Sequence, residues 1–254
     1  MLGLSNGIEY TGEDISDITP PSSYSMSFDG AGDFLALASK ISIPIELTGE
    51  DFSISFWCKR DADDGDASCI LGMNDTASWS RLHFNAAGDE LMIESDQNAE
   101  YAKATVTADT AWHHYVVTSL GQGSGGGGLS IPMIYEDGAA LSTTNYNWGN
   151  SVDKDISFNR IGSDSGGGTT ELKGLLYQLA IFNVVLTAGT VAAIYNGTPG
   201  VPETGSPISL DNMVGISYFW KFSENTGSTT ADSGSDGITA TLTGDAAFSS
   251  TTPE

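Results

Sequence analysis

The chain has 254 residues, enough to bury a sizeable core as one large all-β domain or as one domain with appendages. It sets 33 Asp and Glu against 9 Lys and Arg, a formal charge of −24, which repels phosphate backbones and argues against nucleic acid and anionic membrane as partners. No run approaches the ~18 apolar residues of a membrane helix, and the opening MLGLSNGIEYTG lacks the basic and apolar regions of a secretory signal.

Residues 1–23 are polar, end in TPPSS and read as an arm, with Ile8, Tyr10, Ile15 and Ile18 as isolated anchors of the kind that order on a partner. SYSMSFDG then alternates, Tyr24, Met26 and Phe28 on one face and serines on the other, which predicts a half-buried strand. EDFSISFWCKRD repeats the pattern, with Phe52, Ile54, Phe56 and Cys58 inward and Ser53, Ser55, Trp57 and Lys59 outward. Between Cys58 and Cys69 the acidic stretch KRDADDGDAS is expected to be a hairpin tip. That would set the two cysteines opposite each other, within reach of a disulfide. A chain made in the cytoplasm keeps them as thiols, serving as small core residues.

SCILGM, SRLHFN, ELMIES, AKATVT, AWHHYVVT and LSIPMIYEDGAAL follow as short strands, with Asp137-Gly138 a two-residue hairpin turn. The glycine run 121–128 joins two of them and reads as a hairpin tip, because a phosphate-cradling loop needs a Lys and Ser/Thr at a following helix start. DISFNRIGSDSGGG supplies another strand, and LKGLLYQLAIFNVVL, apolar on both faces, is expected to be central. One short helix is predicted, AGTVAAIY, capped by Thr187 and ended by Asn196-Gly197. GTPGVPETGSP is a proline-punctuated connector, and GISYFWKF and GITATLTG are strands that either pair back onto the main body or form a small appendage. Many short strands with glycine-rich turns make an all-β antiparallel sandwich with one short helix.

Three histidines are present, and His113 and His114 are adjacent. On a strand their imidazoles point to opposite faces, so they cannot share an ion. His83 has no carboxylate at the spacing of a helical zinc motif. All three read as structural.

YSMSFDGAGDFLAL, DFSISFWCKRD, TAWHHYVVT, MIYEDGAAL and NRIGSDSGGGTTELKGLLYQLAIFNVVLTAGTVAAIY, in this order, resemble a laminin-G-like domain of the concanavalin A-like lectin/glucanase superfamily. The resemblance covers roughly residues 24–196 and implies a jelly-roll sandwich in which Trp112 and His114 are framework residues. It leaves three parts: the arm 1–23, the jelly roll 24–196, and the connector with C-terminal strands 197–254, expected to pack on the sandwich. The tail, from AIYNGTPG through ITATLTGDAAFSSTTP, is similar to the segment closing laminin-G-like proteins of marine bacteriophages. This implies a non-enzymatic virion component, a fibre, adhesin or capsid-surface protein that leaves the cell by lysis. Its implied partners are other virion proteins, its own copies in a homo-oligomer, and a host surface glycan. The alternative is a calcium-dependent carbohydrate-binding lectin module of a bacterial surface or secreted protein.

Glucanases of this fold carry an E-x-D-x-(x)-E strand. The nearest stretch here is DELMIESD, with Met92 between Glu90 and Glu94. Those two lie about 13 Å apart on a strand, beyond the ~5–9.5 Å of glycoside hydrolysis. No catalytic residue is predicted. Calcium, the cofactor an acidic tip would take, has Asp61, Asp63, Asp64 and Asp66 as candidate ligands, although their spacing departs from the calcium-loop pattern. The partial fit of Asp232 and Asp236 in DSGSDG is weaker, and the plain reading of both stretches is a solvated acidic turn. For a glycan, the candidate stacking residues are Trp79, Tyr146 and Trp148, whose competing role is packing at the sandwich edge.

Overall fold

A computed structural model describes residues 22–43, 50–61, 66–73, 80–95, 100–121, 131–148, 156–164, 170–196, 210–211 and 213–253. The anchors of the N-terminal arm, Asp63, Asp64, Trp79 and residues 122–128 of the glycine run lie outside the described residues.

In chain order the first strands are β1 (Ser25–Asp29), β2 (Phe34–Ile43), β3 (Phe52–Arg60), β4 (Ser68–Gly72), β5 (Ser80–Phe84), β6 (Glu90–Ser95), β7 (Glu100–Thr105) and β8 (Trp112–Ser119). Then come β9 (Met133–Glu136), β10 (Ala139–Ala140), β11 (Thr144–Tyr146), β12 (Ile156–Ile161), β13 (Lys173–Phe182) and the helix α1 (Ala188–Asn196). The chain closes with β14 (Ile216–Trp220), β15 (Thr229–Thr230), β16 (Ala240–Thr243) and β17 (Ala247–Ser249). An eight-stranded sheet runs β10-β9-β8-β3-β13-β1-β17, with β14 also paired to β13. A nine-stranded sheet runs β11-β7-β6-β5-β4-β12-β2-β16-β15. All pairings are antiparallel, and the two sheets face each other as a jelly-roll sandwich.

Strict alternation builds the core. Phe52, Ile54, Phe56 and Cys58 of β3 meet Leu82, Phe84, Leu91, Ile93 and Phe158 from the other sheet in one buried cluster. The doubly apolar β13 is central, bonded to β3 on one side and to β1 and then β14 on the other. Met26, Phe28 and Leu176 complete the cluster at that end.

Two expectations change. Ser53, Ser55 and Trp57 do not face solvent; they are 0%, 1% and 2% exposed. A second apolar layer covers them: Leu186, Val191 and Ile194 pack with Val116, Ala180, Phe182 and Phe219, and Tyr195 of α1 stacks on Trp57 at 5.7 Å. Ser53 fits this dry site because its hydroxyl donates to Val184 O and accepts from Leu186 N. The second correction concerns the hairpin expected between Cys58 and Cys69: β3 and β4 do not pair with each other. β3 belongs to the eight-stranded sheet and β4 to the nine-stranded one, so the chain crosses between layers there. Cys58 lies opposite His113 and Leu176, whereas Cys69 lies opposite His83, and both are buried free thiols.

Local signals hold elsewhere. Asp137 (φ 50°) and Gly138 (φ 78°) turn β9 into β10, both in the left-handed region that such a two-residue turn requires. Thr187 caps α1, its Oγ1 accepting from Thr190 N at 3.1 Å.

Candidate binding surfaces

The adjacent histidines separate as strand geometry requires. His114 is 1% exposed, faces the α1 layer and touches Ser55 Oγ at 2.9 Å. Burial pushes its imidazole down to about 3, so it is neutral. His113 points to the rim of the sandwich, its Nδ1 2.7 Å from Asp137 and its Nε2 3.0 Å from Asp109. Hydrogen bonding to Asp137 is the main cause raising it to about 9, with Asp109 adding to it, so this imidazole is a cation. Protein groups thereby meet both ring nitrogens of His113 and the Nε2 of His114.

A cleft of about 350 Å³ opens at the same rim, where turns from both sheets converge. Its walls include Asp61 and Asp66 from the sheet crossing, Asn85 and Gly88 from the β5–β6 turn, Asp109 and Thr110 before β8, and Lys173 opening β13. Arg60 is also in the lining, and its position is fixed: the guanidinium lies 4.2 Å from the Phe84 ring centroid and donates to Gly88 O and Thr107 O. One buried cation therefore ties two turns together. Of the four candidate metal ligands, Asp61 and Asp66 are brought to this cleft. Among the described residues no group of three or more His, Cys, Asp or Glu is arranged to hold a metal ion. Asp232 organises a turn instead: Oδ1 accepts from Phe219 N and Gly234 N, and Oδ2 from Ile238 N.

The outer face of the nine-stranded sheet carries a second polar group, with Glu94 and His83 buried at its middle, and its composition was only partly visible in the sequence. Tyr146 lies opposite Tyr101, Tyr101 opposite Glu94, Glu94 opposite Arg81, and Arg81 opposite Gly72, one residue per strand. Arg81 bonds both Glu94 and Asp164, and His83 Nε2 is 3.3 Å from Glu94. The ion partners outweigh burial and hold the Glu94 carboxyl below its ordinary range. Glu90 is engaged by Lys103 at 2.8 Å and by Asn85 at 3.2 Å. Both glutamates of DELMIESD are thus committed to ion pairs and hydrogen bonds. Tyr146 is 53% exposed and stacks on Tyr101 with ring centroids 5.7 Å apart. Trp148 is 6% exposed within the core, so its ring takes the packing role and offers no face to a ligand.

Solved structures of similar fold include a candidate carbohydrate binding protein from Bacteroides ovatus ATCC 8483, at 15% identity and a TM-score of 0.53, covering 87% of this chain and 60% of that one. The binding domain of botulinum neurotoxin DC, in complex with rat synaptotagmin II, is 16% identical with a TM-score of 0.43, covering 71% of this chain and 46% of that one. Trypanosoma rangeli sialidase is 15% identical with a TM-score of 0.42, covering 67% and 28% respectively. The chain thus spans less than two thirds of each of these structures, and its likeness to the Bacteroides ovatus protein is one of fold. No curated protein matches the chain. The family model Laminin_G_3, described as Concanavalin A-like lectin/glucanases superfamily, matches residues 29–192; as that is more than half of its length, the chain belongs to this family.

Proposed function

We propose that the chain is a non-enzymatic binding module for carbohydrate, with a sugar seated in the rim cleft. The carrying observation is the cleft lining, which places carboxylates, an amide, two hydroxyls, one ammonium and one guanidinium around one space of about 350 Å³. Sugar hydroxyls donate and accept, and a mixed lining of this kind serves both roles. The fold shared with the Bacteroides ovatus protein supports the same reading. The ion pairing of Glu90 and Glu94 supports a binding role over hydrolysis, since neither is left as a general acid. The test is calorimetric titration against glycans, with and without chelator, of the natural chain and of Ala87→Trp, which fills the cleft. Saturable binding lost in Ala87→Trp is expected; equal binding by both would place the ligand elsewhere. Loss on chelation would give Asp61 and Asp66 a part in holding calcium.

A second reading, supported by the likeness of the tail to bacteriophage proteins, sets this module on a virion surface, with residues 1–23 as the segment that joins it to the particle or to its own copies. Among the described residues no helix is long and apolar enough to cross a membrane. Mass spectrometry of purified particles tests the setting. A chain lacking residues 1–23 is expected to fold and bind sugar but to stay off the particle; normal incorporation would assign attachment to the sandwich faces.

A further inference from the structure

We infer that the sugar site extends from the rim cleft along β7 to an aromatic end-stop at Tyr146, so that the ligand is a neutral oligosaccharide rather than a single sugar; this rests on the carbohydrate reading above. The two surfaces are joined by a continuous series of contacts. Tyr146 stacks on Tyr101, and Lys103 Nζ lies 5.9 Å from the Tyr101 ring centroid. Lys103 pairs with Glu90, Glu90 accepts from Asn85, and Asn85 lines the cleft. Tyr101, Lys103 and Thr105 share one face of β7, because successive side chains alternate, and Glu90 sits opposite Thr105. The track therefore runs along the strand for about 13 Å, at ~3.3 Å per residue.

Its chemistry selects the ligand. One face of Tyr146 is backed by Tyr101, and the residue is 53% exposed on the edge strand β11, which leaves ring surface for the apolar face of a pyranose. Lys103 along the track is matched by Glu90. With a formal charge of −24 on the whole chain, sulfated or uronic-acid glycans are repelled, and neutral ones are favoured.

The test is a titration series against neutral glycans, taking the best-bound sequence from disaccharide to hexasaccharide, with the natural chain, Tyr146→Ala, Tyr146→Phe and Ala87→Trp. Affinity should rise with length in the natural chain and in Tyr146→Phe. Tyr146→Ala should bind the disaccharide normally and the longest member roughly three- to tenfold more weakly, the contribution of one stacking contact. Length-dependent gain that persists in Tyr146→Ala, or no gain with length at all, overturns the extended site while leaving the cleft intact. Absence of binding by every neutral glycan overturns both readings. The exposure of Tyr146 keeps its replacement from disturbing the core.

Discussion

His113 is held between Asp137 and Asp109, with Glu136 at 3.9 Å, and its replacement by Gln should expose the value of that arrangement through pH. The fold raises the imidazole from 6.5 to about 9, so the folded chain keeps a proton that the unfolded chain releases over that interval. The stabilisation is therefore complete below about pH 6.5 and is lost as pH rises through about 9. A displacement of that size converts to at most about 3 kcal/mol. Asp109 has 49% of its side chain exposed, and solvent screening reduces the figure to about 1–2 kcal/mol. Urea unfolding of the natural chain and of His113→Gln, measured from about pH 6 to about pH 10.5, should show a gap of that size at the acid end that closes at the alkaline end. Tyrosine and lysine titrations affect both proteins alike and cancel in the difference. A gap that stays constant across the range would show that His113 contributes packing alone, and the ionic account of the rim would fail.

His114→Ala should lower stability by about 2–4 kcal/mol without loss of any bound ion, because the imidazole is buried against Trp57 at 5.0 Å; metal analysis and urea melts check both halves. Gly174→Ala should fold poorly or lose at least ~3 kcal/mol, since its Cβ would stand 2.2 Å from Lys59 O at φ 144°, as read by soluble yield and melting. Gly189→Ala, in α1 with only Thr187 Oγ1 at 3.8 Å, should instead stabilise by about 0.5–1 kcal/mol. Thiol titration of the native chain should find no reactive group, because burial pushes the Cys58 thiol to about 12 and raises the Cys69 thiol well above its ordinary value; under denaturing, non-reducing conditions it should count two.

Alternation made the strands readable, and with them the inward residues of β1 and β3, because period 2 is a local property of the sequence. The same window could not report what lies on the outer side of β3. Ser53, Ser55 and Trp57 become interior only because residues 184–195, far along the chain, fold over them. Spacing also misled between Cys58 and Cys69: an acidic, glycine-containing stretch between two strands has the composition of a hairpin tip, and equally of a crossing between layers. Of the loop aromatics, Tyr146 and Trp148 sit in one polar setting, yet one is exposed and the other is core, a distinction set by the edge position of β11. The polar row from Tyr101 to Arg81 escaped notice because it is assembled from three strands, each contributing one residue. Its one local trace was the DELMIESD alternation, where Glu90, Met92 and Glu94 share a face.

The position of β13 has a consequence for the order of events during synthesis. β1 and β3 emerge early but have no shared neighbour until Lys173–Phe182 arrives to lie between them. The edge beyond β1 waits longer still, for a partner whose far end links Ser25 to Thr251, 226 positions away. The eight-stranded layer therefore cannot grow strand by strand as the chain leaves the ribosome: β8, β9 and β10 can add to β3, but the edges of β1 and β3 that face β13 stay open until Lys173–Phe182 is made. Such a nascent chain is vulnerable to premature pairing with its neighbours on the same message, and the dense acidic charge it carries supplies mutual repulsion during that interval.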